Sequence, residues 1–172
     1  MIRVFINPGH APGGNPDPGA CGNGLRECDI ALAVGGLVVK YLEAVGIGTR
    51  LLQSDSLGEI SSTANAWGAD LFISIHCNSA ASDAATGTET FCFPGSQKGN
   101  WLATCIQKQI VDSVCTVDRG VKEASFHVLR NTDCPAVLVE LAFINNPKDA
   151  AILRDKQDEL ARAIARGVTD CN

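Results

Sequence analysis

Two histidines and two glutamates stand where apolar segments of this chain stop or are interrupted. RVFIN (3–7) leads through Pro8-Gly9 to His10, and DLFISIH (70–76) ends on His76. Within AVLVELAF (136–143), Glu140 breaks an otherwise apolar run, and Glu27 follows the glycine-rich stretch GHAPGGNPDPGACGNG at the start of a helical pattern. Each has a bland reading. His76 could be a hydrogen-bonded core histidine, His10 a solvated loop residue, and Glu27 a first-turn acid favoured by the helix dipole. Glu140 resists that treatment, because an ionised carboxylate inside a buried strand is costly without a strong partner. Taken together, two imidazoles and a carboxylate are the donor set of a catalytic zinc, binding at about 2.0–2.2 Å and leaving a fourth position for water. The remaining carboxylate can then accept the proton of the attacking water and hand it to a leaving nitrogen. Which carboxylate ligates and which moves the proton is left open by the residues alone.

Other reactive side chains fit less well. His127, in SFHVL, alternates with Phe126 and Val128 and reads as a surface or supporting residue. Cys77 adjoins His76, but neighbours on a strand point to opposite faces, which is poor geometry for a Cys–His pair. The glycine-rich stretch lacks the GK[ST] ending of a phosphate-binding loop and reads as a mobile rim where backbone can approach a ligand.

The elements that must position these residues follow from hydrophobic periodicity. Five segments read as strands: 3–7, 47–52, 70–76, 88–93 and 136–143, with a weaker sixth around Phe126–Leu129. Their nearly continuous apolar character is the habit of parallel strands buried on both faces. Helical spacing covers 27–45, 57–67, 98–114 and 147–168, with Gly46 placed to stop the first and Asn146-Pro147 to start the last. Alternating strands and helices predict one α/β domain over 1–172, a doubly wound sheet flanked by helices. In such sheets ligands bind beyond the carboxyl ends of the strands, so positions 10, 76 and 140 can meet at one edge, with Glu27 joining from the adjoining loop.

Composition excludes several classes. The 172 residues are 45% hydrophobic and 19% charged with a net charge of −5, and no Lys/Arg cluster stands out. Nucleic-acid binding is not expected, because phosphate binding needs a positive face. The longest apolar run, IALAVGGLVV (30–39), is too short for a membrane span. The amino terminus shows no signal-peptide pattern and enters a strand directly. Eight cysteines form no CxxC pair, which disfavours a thiolate zinc knuckle; mostly free thiols are expected.

INPGH (6–10), DPGA (17–20), GLRECDIAL (24–32), ISIHCNS (73–79), RGVK (119–122) and PAVLVELAFINN (135–146), in that order, resemble the zinc-dependent N-acetylmuramoyl-L-alanine amidases of the amidase-3 type. These are catalytic domains of bacterial autolysins, cell-separation amidases and phage endolysins. The resemblance covers nearly the whole chain and implies a twisted, mostly parallel six-stranded sheet. It implies His10, Glu27 and His76 as zinc ligands and Glu140 as the catalytic carboxylate. The reaction would be hydrolysis of the amide between N-acetylmuramic acid and L-alanine of peptidoglycan, outside the membrane. A zinc peptidase acting on stem peptides and a non-catalytic wall-binding homologue are the alternatives. Asn7 stands where the family usually has aspartate, Cys77 where a small residue is common, and Ile60 where many relatives carry arginine; these departures bear on metal support and substrate preference. Relatives restrained by an activator protein carry a long helical insertion after the second histidine. Segment 77–87 has no room for one, so activity without an activator is expected, and no separate wall-binding module is in view.

Overall fold

Nearly continuous apolar runs make the central strands, and the two faces of those strands build two separate cores. The computed structural model describes residues 2–171. In chain order it contains β1 (Arg3–Pro8), a 3-10 turn (Pro12–Gly14), β2 (Cys21–Gly22), β3 (Leu25–Arg26), α1 (Glu27–Ala44), β4 (Gly48–Leu51), α2 (Leu57–Trp67) and β5 (Leu71–Asn78). There follow β6 (Thr88–Cys92), α3 (Gln97–Val114), β7 (Asp118–Glu123), α4 (His127–Arg130), β8 (Ala136–Phe143), α5 (Pro147–Asp155) and α6 (Gln157–Asp170). The six-stranded sheet has the order β4-β1-β5-β8-β6-β7, and β2 and β3 form a small hairpin beside it. Neighbouring strands of the large sheet run parallel except β6, which is antiparallel to β8.

Val4, Ile6, Ile73, Ile75, Val137 and Val139 turn to one face and are covered by apolar residues of α1, α3 and α6. Phe5, Phe72, Ala136 and Leu138 turn to the other, under Ile60 and Ala64 of α2 and Val128 and Leu129 of α4. That second layer is short. Continuing its alternation towards the carboxyl ends gives Asn7 on β1, Ser74 and His76 on β5, and Glu140 on β8, beyond the cover of α2 and α4. Cys77 falls on the opposite face, inside the larger core, as strand geometry requires. The sheet therefore separates the buried thiol from the imidazole.

Two expectations need correction. The sixth strand is Asp118–Glu123, not the region around Phe126–Leu129, where His127–Arg130 form one helical turn. Val128 and Leu129 are both buried, a pattern a helical turn satisfies and a half-buried strand does not. DRGVKE escaped a hydrophobic search because β7 is an edge strand with a polar face. The last helix is also two helices, parted at Lys156, where φ is −122° and ψ 31°. Its halves serve different neighbours: α5 packs on β8, while α6 packs on α1 and α3. Cys105 and Cys171 are joined in a disulfide between α3 and the end of α6, and Cys21, Cys28, Cys77, Cys92, Cys115 and Cys134 are free thiols.

Candidate active site

Each site residue arrives on an element whose local chemistry places it. His10 follows β1 and adopts φ 66°, a left-handed conformation uncommon outside glycine. Glu27 is the first residue of α1, where the helix dipole favours an anion. His76 and Glu140 lie side by side as register partners on the parallel pair β5–β8. The glycine-rich stretch, expected as a mobile rim, is tied into the site: Ala11 N–H donates to Asp17 O, Glu27 N–H to Ala20 O and Cys28 N–H to Pro18 O. Two of its neighbouring glycines are required by contact. A Cβ on Gly9 would come within 2.4 Å of the His76 ring, and one on Gly19 within 2.5 Å of the His10 ring and 2.6 Å of Glu27.

The hydrogen bonds assign the ring tautomers. Asn7 donates through Nδ2 to the carbonyls of Pro8 and Leu52, which leaves its Oδ1 to accept from Ser74 Oγ at 2.8 Å. The serine hydroxyl has then spent its hydrogen and must accept from His76 Nε2, 3.0 Å away. His76 Nδ1 consequently faces Glu27 Oε1 at 3.0 Å. On the other side, His10 Nδ1 donates to Asp17 Oδ2 at 2.7 Å, so His10 Nε2 faces Glu27 Oε2 at 3.0 Å. Glu27 already accepts from the backbone N–H groups of Ala20 and Cys77. Two imidazole edges thus converge on both oxygens of one buried carboxylate, and an arrangement of lone pairs alone would repel. Protons or a cation must lie between them.

The electrostatics agree. Hydrogen bonding to Glu27 above all, and then to Asp17, pushes the His10 pKa up to about 9 against the opposing effect of burial. Burial would raise Glu27, but hydrogen bonds from His10 and His76 hold it well below the usual carboxylate range. Candidate donor atoms of His10, Glu27 and His76 all lie within 4.8 Å of one another, and among the described residues they are the group able to hold a metal ion. This spacing suits one cation with bonds of about 2.0–2.2 Å to nitrogen and oxygen.

Glu140 is the fourth member. Its Oε2 is buried and accepts no hydrogen bond from the protein, and burial pushes its carboxyl up to about 7. On its far side it faces Glu89, its register partner on β6. Glu89 is buried but fully paired: Oε1 accepts from Asn78 Nδ2 at 2.8 Å, and Oε2 from Arg119 Nε at 2.7 Å and from the Lys122 ammonium. A cavity of about 250 Å³ opens beside the cluster, lined by His10, His76 and Glu140 together with Leu57, Ile60, Phe126, Val128 and Leu138. His127 also lines this cavity, without joining the three donors.

Fold and site together define an α/β domain that carries a candidate metal centre, with an unpaired buried carboxylate beside it, at the carboxyl edge of its parallel strands. The amidase-3 family profile, described as N-acetylmuramoyl-L-alanine amidase, matches residues 4–170, and the chain belongs to that family. The sporulation-specific N-acetylmuramoyl-L-alanine amidase of Bacillus subtilis (strain 168) is 39% identical over 97% of this chain, which spans 65% of that protein's length. The catalytic domain of CwlV, an N-acetylmuramoyl-L-alanine amidase from Bacillus (Paenibacillus) polymyxa var. colistinus, superposes with a TM-score of 0.90 at 33% identity, covering 99% of this chain and 97% of that one. The CwlD amidase of Clostridioides difficile, solved in complex with the GerS lipoprotein, has a TM-score of 0.88 at 26% identity, with 99% and 98% covered.

Sequence reasoning did not assign roles to Asp17, Gly9, Gly19, Ser74 or Glu89. Glu89 carried a usable signal: in TETFCF it shares a strand face with Phe91, so the argument applied to Glu140 applies to it as well. Ser74 carried none, because its role depends on Asn7 lying opposite it in register.

Proposed function

We propose that this domain hydrolyses the amide joining the lactyl group of N-acetylmuramic acid to L-alanine in bacterial peptidoglycan, with zinc held by His10, Glu27 and His76. The observation that carries the reading is the convergence of two oriented imidazole edges on the Glu27 carboxylate, next to the unpartnered Oε2 of Glu140. When bound, zinc would supply Lewis acidity towards water and the amide carbonyl.

The chain's own groups do the rest. Asp17 and the Asn7–Ser74 pair fix the two rings in the tautomers that turn a lone pair inward. Glu140 takes a proton from the attacking water as its oxygen bonds to the carbonyl carbon. The same carboxyl then delivers that proton to the alanine nitrogen as the carbon–nitrogen bond breaks. Burial, which raises the Glu140 carboxyl above the ordinary carboxylate range, favours its acceptance of a proton that it must later return. Action on the wall places the working protein outside the membrane.

The reading extends to regulation. Residues 79–87, which follow β5, are held away from the cavity. Asn145 bonds Ala80 and Ser82, Asn146 bonds Asp83, and Asp149 accepts from Thr86 and Gly87. No helix lies in this segment to cover the cavity, which supports activity without an activator protein. The test of the reaction is mass spectrometry of digested muropeptides. Stem peptides released intact with a free alanine amine, beside peptide-free glycan, support the amidase reading. Shortened stems mean a peptidase, and binding without release means a non-catalytic homologue.

A further inference from the structure

Beyond the proposed scissile chemistry, one cluster at the same sheet edge has no role in the mechanism. Arg119 and Lys122, on the edge strand β7, both reach back over β6 to a single oxygen of Glu89. Two cations against one carboxylate leave a surplus positive charge. The Glu89 side chain is 7% exposed, while those of Arg119 and Lys122 are 34% and 41% exposed, so the surplus faces solvent. The cations are also braced: the Arg119 guanidinium lies 4.9 Å from the Phe143 ring centroid, and the Lys122 ammonium 5.9 Å from that of Phe91. Lys122 makes a single protein hydrogen bond among the described residues, leaving donors for another acceptor.

The opposite side of the site is different. The cavity against Leu57, Ile60, Phe126, Val128 and Leu138 is lined by neither lysine nor arginine. One flank of Glu140 is thus apolar and the other cationic, which gives the site a direction.

We propose that Arg119 and Lys122 form a carboxylate-binding site for the acidic residue that follows alanine in the stem peptide, so that the peptide runs from Glu140 across β6 towards β7. This inference rests on the amidase reading. The distances suit it. Glu89 lies one strand, about 4.8 Å, from Glu140, and the Arg119 Nε that it holds is a further 2.7 Å from its carboxylate. A carboxylate on the second residue lies at most about 7 Å of extended chain from the scissile nitrogen. Binding there also explains why Glu89 is buried and shared: it holds two like charges together without neutralising both.

The test uses two synthetic muramoyl peptides that differ only in whether the second residue carries a free α-carboxylate or its carboxamide. Wild-type protein, loaded with zinc, should cleave the carboxylate with the higher kcat/KM. Lys122→Gln should lower the ratio of the two kcat/KM values by about tenfold, chiefly through KM. Lys122→Arg should restore the ratio, which a merely structural role for the lysine does not predict to depend on substrate charge. Lys98→Gln, at the far end of the sheet beside Trp101 and Pro135, should leave the ratio as it is. An unchanged ratio in Lys122→Gln, with both peptides still cleaved, overturns the inference and spares the amidase reading. Failure of wild-type protein to cleave either peptide overturns both.

Discussion

Glu140 shows what a buried carboxylate needs in order to act. Its neighbour Glu89 is buried yet saturated by Asn78, Arg119 and Lys122, whereas the buried Glu140 Oε2 has no protein donor. Only the unsaturated one is free to exchange a proton. Glu140→Gln keeps the shape and removes the proposed base, so turnover should fall by roughly 10²–10⁴-fold while zinc content stays at the wild-type level. Near-normal turnover in that variant would remove Glu140 from the mechanism. His10 gives a second prediction, for metal-free protein. Its folded pKa, about 9, lies above the ordinary 6.5. The folded state therefore holds the proton more tightly than the unfolded chain. This contribution to stability is fully present below about pH 6.5 and is lost as pH rises through about 9. Thermal melts of the chelated wild type should decline over that window more steeply than those of His10→Asn. Parallel declines would show that His10 holds no such proton.

At the scale of elements, the site depends on backbone passing unusually close to the rings. Gly9 lies against the His76 imidazole, and a methyl group there would demand space the ring occupies. Gly9→Ala should leave the far-UV circular dichroism intact and weaken zinc binding by about 10–100-fold, the scale seen when groups that orient a ligand are lost. Zinc affinity equal to wild type would mean that the ring can shift without consequence. The same closeness explains what could be read from the chain in advance. β1, β5 and β8 announced themselves by continuous apolar runs, and His10, His76 and Glu140 by ending or breaking those runs. Glu27 could be placed only because it opened a helix after a loop on the right edge. DRGVKE was missed, because an edge strand that spends its side chains on Glu89 has no hydrophobic pattern to show. Asp17 and Ser74 act by bonding to ring nitrogens from other segments, and that information exists only in three dimensions. Phe126–Leu129 misled because four residues alternate equally well in a strand and in one turn of helix.

For the whole molecule, two cores on opposite faces of one sheet leave a single edge where α2 and α4 end early, and the polar residues collect there. No helix of the described residues is long and apolar enough to cross a membrane. With segment 79–87 anchored to the start of α5, the purified domain should release peptide from cell-wall sacculi at once. A lag abolished only by a second protein would refute the activator-free reading. The proposed chemistry requires three donors from three segments to share one zinc. Elemental analysis of wild-type protein and of the His10→Ala, Glu27→Ala, His76→Ala triple variant, both purified and zinc-loaded identically, measures that directly. One zinc per wild-type chain and essentially none in the triple variant is the expected result. Equal zinc in the two proteins would contradict it.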